Sequence, residues 1–462
     1  MPRGTRHGAR AMTDSGKKKP GRRPPRAKAG AGTEKTVSIH VPVLARVEGE
    51  GALHLRIRGD AIEELKLRIF EPPRLFEKFL EGRSCDEVPD MVARICGICP
   101  VAYQMSAVNA LESLFGTEPG PWVRAMRRVL YCGEWIESHC LHIHLLAAPD
   151  FFGYDSAISM ARDHPEVIRR GLALQGLGNE LMGLLGGRSV HPVGVRIGGF
   201  YRAPSQAEAD AMRDKLEAAL PEAEALVRWI AAVKVPQDPQ QFTCVALRHQ
   251  REYPMNEGRI VSSDGLAIGV EEYERHFAEH QEPHSTALYS TLQGRPYLVG
   301  PLARLNLNLD RLPAQARDLL ADTGIRWPSG NMFHSAVARA VEVYYALLEA
   351  IRLLAAYAVP EAPAAAVVPR AGIGYGCSEA PRGILWHRYA VDAQGRILSA
   401  RIVPPTSQNQ ARIEEDLHSS LRVFGLHHSD TALRSHCEKV IRNYDPCISC
   451  ATHFLQMQVE RI

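Results

Sequence analysis

The sequence lacks any apolar run near the ~18 uninterrupted residues of a membrane helix, so the chain is predicted to cross no bilayer unaided. Aromatic residues make up only 7% of it, and neither charge is in large excess, with a formal net charge of +3 over 462 residues. An apolar fraction of 45% and a charged fraction of 23% exclude collagen-like, low-complexity and wholly disordered chains. What remains is an ordinary globular protein, long enough for about three domains or one large fold.

The positive charge is concentrated in the first 35 residues, which hold eleven Lys and Arg but only Asp14 and Glu34 as acids. Residues 1–36 are therefore predicted to be a disordered basic tail. The remainder is mildly acidic, which disfavours nucleic acid as its partner. Because no apolar segment follows Arg22-Arg23, these residues do not form an export signal, and a cytoplasmic location is predicted.

The periodicity of apolar residues predicts an α+β fold, with a large central helical bundle and small N-terminal and peripheral β-sheets. Strands are predicted at residues 37–41, 51–58 and 62–69, in several short segments within 258–297, and in a hairpin at 383–389 and 395–402. Helices are predicted around residues 74–116 and at 121–148, 166–185, 206–233, 333–357 and 432–441.

Two Cys-x-x-Cys pairs stand near opposite ends of the folded region, Cys96 with Cys99 and Cys447 with Cys450. A spacing of three lets both sulfurs of a pair converge on one ion, and thiolates suit zinc, copper(I), nickel or iron. Zinc ribbons close over only ~15–20 residues, so pairs this far apart favour a reactive centre buried in the core. A structural zinc site, a redox dithiol and independent core cysteines are the alternative interpretations.

Residues 94–100 (RICGICP) and 445–453 (DPCISCATH) closely resemble the two signature motifs of the nickel–iron hydrogenase large subunit. Residues 46–49 (RVEG), 74–77 (RLFE) and 379–383 (EAPRG) are similar to three further motifs of that family, in the same order. The residues around these motifs are most similar to those of the cytoplasmic, multisubunit branch of the family, which couples hydrogen to NAD(P) or to sulfur reduction. The resemblance implies one catalytic domain over residues 37–453 that interconverts H2 with protons and electrons.

The resemblance implies that all four cysteines, Cys96, Cys99, Cys447 and Cys450, ligate nickel. The second cysteine of each pair then also bridges to an iron that carries two cyanides and one carbon monoxide. The first cysteine of each pair is a terminal ligand of nickel. Polarisable thiolates suit such a centre because they spread the charge of a metal that changes oxidation state.

Four residues are assigned catalytic roles by the same resemblance: Glu48, Arg382, Asp445 and Cys447. Cys447 is expected to receive the proton from H2 first, and Glu48 to relay it. Arg382 is expected to lie over the open face of the metals, oriented by Asp445. Without the motifs, Glu48 would be interpreted as a solvated acid at a strand edge, Arg382 as a surface arginine in a turn, and Asp445 as a turn-starting aspartate.

A magnesium site is implied near the C-terminus, with Glu77, His453 and the backbone carbonyl of Ile402 as protein ligands. Magnesium prefers oxygen ligands and retains several waters, so a glutamate and a carbonyl fit it, and histidine is the less usual member.

The long helix departs from the family, because residues 137–142 (ESHCLH) stand where many uptake hydrogenases carry an acid. An outer hydrogen bond assigned to that acid is therefore in doubt. His139, His142 and His144 are interpreted as core histidines or parts of a polar network, with a metal site as the alternative.

Residues 454–462 resemble the extension that a maturation protease removes after metal-insertion proteins have loaded nickel. The chain has no further cysteine set for iron–sulfur clusters, so electrons are expected to leave through an iron–sulfur small subunit. Flavin and iron–sulfur diaphorase subunits are the expected next carriers, with NAD(P) as acceptor. Sulfur or polysulfide reduction and a non-catalytic scaffold like that of respiratory complex I are the alternative functions.

Overall fold

The structure is a computed structural model that describes residues 36–452. Residues 1–35 of the predicted tail, His453 and the predicted extension at 454–462 lie outside the described residues. The strands are β1 (Thr36–Val41), β2 (Gly51–Arg58), β3 (Ala61–Ile69), β4 (Val195–Arg196), β5 (Gly199–Phe200), β6 (Val245–Arg248), β7 (Arg259–Ser262), β8 (Ala267–Ile268), β9 (Phe277–Gln281), β10 (Leu288–Leu292), β11 (Gly372–Ala380), β12 (Gly383–Val391) and β13 (Ile397–Val403). The α-helices are α1 (Phe76–Leu80), α2 (Val88–Val92), α3 (Pro100–Phe115), α4 (Pro121–Leu141), α5 (Ala148–Phe152), α6 (Ala157–Asp163), α7 (Pro165–Gly186), α8 (Gln206–Ala231), α9 (Tyr273–His276), α10 (Pro301–Asn308), α11 (Ala314–Asp322), α12 (Ser335–Ala355), α13 (Pro405–Phe424), α14 (Asp430–Asn443) and α15 (Ile448–Ala451).

Long helices form the centre of the molecule, where α4 packs against α7 and α12, and α12 packs against α8. Helices α3, α4 and α7 each begin at a proline, which is favoured in the first turn because its missing N–H needs no partner there. A Cβ on Gly178 of α7 would lie 2.7 Å from the carbonyl oxygen of Gly133 on α4, so the glycines allow close packing. The predicted α+β class with a central helical bundle is confirmed.

Small antiparallel sheets surround the bundle. Strands β1, β2 and β3 form the predicted N-terminal sheet, with β2 in the middle. The predicted hairpin of β12 and β13 is present, but β11 adds a third strand that the sequence analysis did not identify. Strand β11 packs against α3 through glycines, since a Cβ on Gly374 or Gly376 would lie 2.1 Å from a carbonyl oxygen of that helix.

Helix α13 was also not predicted, although it is 20 residues long. It follows Pro404, begins at Pro405 and buries polar side chains such as Gln408 and Asn409 in its first half, so its apolar stripe is confined to the second half. Across residues 36–452, no helix combines the length and apolar character needed to span a membrane.

Candidate metal centre

The four sulfurs of the two Cys-x-x-Cys pairs meet in the buried core. The Sγ atoms of Cys96 and Cys99 are 2.9 Å apart, and those of Cys447 and Cys450 are 2.8 Å apart. Between the pairs, Cys96 lies 3.6 Å from Cys447 and Cys99 lies 3.9 Å from Cys450. All four sulfurs lie within 4.8 Å of one another, so one metal centre can contact them all.

Because the four thiols lie so close together, their pKa values shift in opposite directions. Burial alone raises the pKa of Cys96, but hydrogen bonds from the neighbouring thiols, Cys447 first, leave it well below its ordinary value. Hydrogen bonds with Cys450 and Cys96 raise the pKa of Cys447 well above its ordinary value. The group therefore holds one thiolate most readily, and a bound cation is needed for all four sulfurs to ionise together.

The first pair lies in a loop that leads into α3. The backbone N–H of Cys99 donates to Cys96 Sγ at 3.1 Å, so this loop satisfies its own amide. At the start of α3, the N–H groups of Val101 and Ala102 donate to the buried carboxylate of Glu134, at 2.6 and 3.2 Å. Sequence analysis missed Glu134, which fixes the helix that begins beside Cys99.

The second pair is held by residues that are distant in sequence. The N–H of Cys447 donates to the hydroxyl of Thr406 at 3.0 Å, and the N–H of Ile448, the next residue, donates to the carbonyl of Glu48 at 3.0 Å. Arg74 donates to the carbonyls of Ser449 and, at 2.7 Å, of Ile95. Arg74 therefore joins the two cysteine loops, and the RLFE motif has a structural reason to begin with arginine.

Glu48 reaches the centre directly. Its Oε2 accepts from the thiol of Cys447 at 3.1 Å and from the N–H of Ser449 at 3.0 Å. The backbone of Glu48 also forms a β-bridge with Cys447. The interpretation of Glu48 as a solvated strand-edge acid is wrong, because its carboxylate contacts a sulfur of the cluster.

Arg382 lies in the turn between β11 and β12 and is buried. Its Nε donates to the carbonyl of Asp445 at 2.8 Å and approaches the carboxylate of Asp445 at 3.0 Å. Burial alone raises the pKa of Asp445, but the charges of Arg382, His142 and Arg339 together with the Arg382 hydrogen bond outweigh it and lower the pKa. The Nη1 and Nη2 of Arg382 are buried without a hydrogen-bond partner among the described residues. These free donors suit polar or anionic groups at the centre.

A second arginine beside this pair, Arg339 of α12, was not identified from the sequence. It is completely buried, and none of its three nitrogens has a hydrogen-bond partner within residues 36–452. Burial lowers its pKa to about 10, and the charge of Asp445 opposes that shift. Asp445 therefore interacts with two guanidinium groups. The sequence signal for Arg339 is weak, since it is one of four scattered charges in a mostly apolar helix.

The predicted magnesium ligands are brought together only in part. The N–H of Ile402 donates to Glu77 Oε1 at 2.7 Å, which places the glutamate beside the predicted carbonyl. His453, the third predicted ligand, lies outside the described residues.

His139, near the end of α4, and His142 and His144, in the π-helical segment His142–Ala147 that follows it, are buried and contact other groups of the core. His139 contacts Glu342 at 2.9 Å, His142 contacts the carbonyl of Arg442 at 2.7 Å, and His144 contacts the carbonyl of Cys140 at 3.0 Å. Burial lowers their pKa values to about 4, 3 and 4, so all three are neutral near pH 7. They are not among the groups of described residues that could share one ion.

Soft thiolate donors, complete burial and the free donors of Arg382 fit a nickel–iron centre at the four cysteines. The other cluster with metal-ligand geometry among the described residues is His249, Glu252 and Glu257. Arg124 donates to both glutamates of that cluster and Arg128 forms an ion pair with Glu252, so two arginines already balance the two carboxylates. The thiolate centre, with an acid and an arginine beside it, defines a metal-dependent redox enzyme.

Comparison with known proteins identifies the family. The family model for nickel-dependent hydrogenases matches residues 74–173 and 271–453. The chain is 34% identical to sulfhydrogenase 1 subunit alpha of Pyrococcus furiosus over 430 residues, which cover 91% of this chain and all of that protein. The chain belongs to the nickel-dependent hydrogenase family, as a catalytic large subunit.

Other relatives agree with this assignment. The NAD-reducing hydrogenase HoxS subunit beta of Cupriavidus necator is 26% identical, over 89% of this chain and 94% of that protein. The crystal structure of an NAD+-reducing [NiFe]-hydrogenase superposes with a TM-score of 0.80 at 28% identity, covering 91% of this chain and 100% of that one. The nickel–iron–selenium hydrogenase of Desulfovibrio vulgaris, at 22% identity and a TM-score of 0.75, shares the fold.

Proposed function

We propose that this chain oxidises H2 reversibly, with Cys447 and Glu48 moving the proton. The contact that supports this most directly is the 3.1 Å hydrogen bond between Cys447 Sγ and Glu48 Oε2. The nickel–iron group, held by Cys96, Cys99, Cys447 and Cys450, supplies heterolytic cleavage of H2 when it is bound. Cys447 Sγ accepts the proton that leaves, and Glu48 takes it from that sulfur.

Arg382 and Asp445 act on orientation and charge. A guanidinium does not give up its proton readily, so Arg382 polarises and positions the reacting hydrogen instead of acting as a base. Asp445 holds its Nε, leaving Nη1 and Nη2 to face the centre. We further propose that the iron carries cyanide and carbonyl ligands, for which those buried donors are suitable partners.

Magnesium and maturation complete the proposal for this end of the chain. The proposed magnesium ligands are Glu77, the carbonyl of Ile402 and His453, supported by the 2.7 Å contact of Glu77 with Ile402.

A maturation protease is proposed to cut after His453 once metal-insertion proteins have loaded the centre. The intact mass of active enzyme tests this step, and an active chain that still ends at Ile462 contradicts it.

The proposed electron route starts at the cysteine centre and continues through an iron–sulfur small subunit. Flavin and iron–sulfur diaphorase subunits then pass electrons to NAD(P). The NAD+-reducing [NiFe]-hydrogenase superposed at a TM-score of 0.80 supports this acceptor. The likeness to sulfhydrogenase 1 subunit alpha supports a second candidate activity, reduction of sulfur or polysulfide at the same centre.

The test is a nickel count on the purified complex, with H2-dependent reduction of NAD, NADP and polysulfide measured in parallel. Infrared bands in the cyanide and carbonyl stretching region are expected as well. Nickel near one per chain with H2 uptake supports the proposal. Zinc without nickel overturns it, and polysulfide as the only accepted substrate favours the second candidate.

Glu48→Gln separates the proton step from metal binding. Glutamine retains an acceptor for the Ser449 N–H but cannot take up a proton, so turnover is expected to fall about 10²- to 10⁴-fold with nickel retained. Glu50→Gln, at an exposed neighbouring acid, is the matched control and is expected to remain active. Full activity of Glu48→Gln removes this residue from the proton route.

A further inference from the structure

The turn that carries Arg382 is a tight hairpin between β11 and β12. Ala380 and Gly383 are paired in the ladder, so Pro381 and Arg382 alone form the connection. The Arg382 side chain is fixed to the described protein through Nε and Asp445, while its two terminal nitrogens have no partner there. Its direction over the centre therefore depends on how firmly the backbone of this turn is held.

Arg304 of α10 holds that backbone. Its Nη1 donates to the carbonyl of Ala380 at 2.9 Å and its Nη2 donates to the carbonyl of Pro381 at 3.2 Å. The same Nη1 donates to the carboxylate of Glu379 at 2.7 Å. One planar side chain thus binds three consecutive residues that lead into Arg382.

Other contacts leave the turn little freedom. The indole N–H of Trp135 donates to the carbonyl of Glu379 at 3.0 Å. Gly300, which precedes α10, adopts φ 114°, and a Cβ there would lie 2.8 Å from the carbonyl oxygen of Arg382. The turn is therefore contacted both by the start of α10, at Gly300, and by the indole of Trp135.

The Arg304 side chain is itself fixed by a buried ion pair and by an aromatic ring. Its Nε and Nη2 donate to the two carboxylate oxygens of Glu342, at 2.7 and 2.8 Å. His139 and Tyr253 also contact Glu342, at 2.9 and 2.7 Å. The guanidinium lies 4.1 Å from the ring centroid of Trp135 and is completely buried. This rigid support gives the His139 contact a role that does not require a metal.

We propose that Arg304 is a positioning residue, which holds Arg382 over the metal centre through the backbone carbonyls of Ala380 and Pro381. The inference rests on the proposed role of Arg382. A lysine at position 304 keeps the charge between Glu342 and Glu379 but cannot form the same planar set of hydrogen bonds. The turn then loses part of its support, while the ion pair is preserved.

The experiment compares Arg304→Lys with Arg127→Lys in the complete enzyme complex. Arg127 is a matched control, because it forms a buried bidentate pair with Glu112 at 2.6 and 2.7 Å and contacts no residue of the turn. Misplacement of a reacting group by about 1 Å can reduce turnover 100-fold, so Arg304→Lys is expected to lower kcat by about 10- to 100-fold. Its KM for the electron acceptor and its nickel content are expected to match the unsubstituted enzyme, and Arg127→Lys is expected to remain near full activity.

A double-substitution cycle tests whether Arg304 acts through Arg382. In an Arg382→Lys background, Arg304→Lys is expected to lower kcat less than about threefold further, because coupled residues are not additive. Deuterium uptake by the backbone amides of residues 379–384 is expected to rise in Arg304→Lys and not in Arg127→Lys.

The inference would be overturned if the two kcat losses multiplied in the double variant, because the residues would then act independently. It would also be overturned if Arg304→Lys had no more effect than Arg127→Lys. A nickel loss that matches the activity loss also overturns it, because Arg304 then supports the centre and not Arg382. An unsubstituted complex without nickel or H2 uptake overturns the proposed function itself, so the two failures are distinguishable.

Discussion

The Cys96–Cys99 loop continues into α3, whereas the Cys447–Cys450 loop contains only the four-residue helix α15. The first loop satisfies its Cys99 amide from Cys96 Sγ, and Glu134 of the neighbouring α4 caps the helix that follows. An isolated four-residue helix is not stable on its own. The second loop therefore depends on Glu48, Arg74 and Thr406, which dock onto it from distant parts of the chain. One half of the centre is supported mainly by adjacent helices, and the other half mainly by long-range contacts.

The largest expected effect comes from a methyl group at the N-terminal segment that supports the second loop. Gly49 adopts φ 86°, and a Cβ there would lie 2.7 Å from the Cβ of Ile448. Backbone strain and overlap each contribute about 1–3 kcal/mol, so Gly49→Ala is expected to undock the Cys447–Cys450 loop and reduce nickel content about tenfold or more. Metal analysis of the purified chain measures this.

Gly97 in the first loop provides the matched substitution. Nothing lies within 4 Å of a Cβ built there, so Gly97→Ala is expected to retain nickel. Equal nickel losses in Gly49→Ala and Gly97→Ala would contradict the difference between the two loops.

A smaller effect is expected from Thr406→Val, which preserves shape but removes the acceptor of the buried Cys447 amide. Leaving a buried N–H without an acceptor costs about 1–3 kcal/mol. Here that cost destabilises only the second loop. Cysteine-resolved alkylation of metal-free protein is expected to label Cys447 and Cys450 faster, with Cys96 and Cys99 unchanged. Uniform acceleration at all four cysteines would show that the loops open together.

The smallest expected effect is a pH dependence at the helix that leads into the second loop. His142 is neutral in the folded chain because burial lowers its pKa to about 3, and it contacts the carbonyl of Arg442 at the end of α14. In the unfolded chain, His142 takes up a proton as the pH falls through about 6.5. The contribution of neutral His142 to the free energy of unfolding is therefore present above that pH and is lost progressively below it. Between pH 7 and 5.5, the loss is about 1 kcal/mol.

His142→Gln retains a donor for Arg442 and removes the titration. Its free energy of unfolding in urea is expected to fall less than that of the unsubstituted chain between these two pH values. Equal falls in both proteins would exclude His142 as a source of acid sensitivity.

The metal centre was predictable because its ligands occur in short motifs whose spacing is itself the signal. The spacing of the cysteine pairs favoured a shared buried centre over the alternatives, and the resemblance of residues 94–100 and 445–453 to two family motifs pointed to nickel and iron. Arg304, Glu134 and Arg339 were not predictable in the same way, because each is a charged helix residue that belongs to no recognisable motif. Their roles depend on tertiary neighbours such as the carbonyls of residues 380 and 381.

The fold was predicted where apolar periodicity is strong, as in α4, α7, α8 and α12. Strand β11 was missed because three of its nine residues are Gly372, Gly374 and Gly376, which close packing against α3 requires but which disfavour a strand in isolation. Helix α13 was missed because the first half of its buried face is polar, with Gln408 and Asn409 donating to distant backbone carbonyls, and after Pro405 its buried apolar residues occur only from Ile413 onward. Tertiary packing decides both elements: close backbone contacts at glycines in β11, and specific hydrogen bonds together with apolar burial in α13.

The approach of Cys96 Sγ to within 3.6 Å of Cys447 Sγ, across 351 positions of chain, has a thermodynamic consequence. A metal held by both sulfurs closes a very long loop and restricts the unfolded ensemble. By the relation used for covalent cross-links, closing a loop of that length corresponds to about 6 kcal/mol. While the metal stays bound to both sulfurs, it opposes unfolding by this amount; complete denaturation instead requires release of the metal, at the cost of its binding free energy.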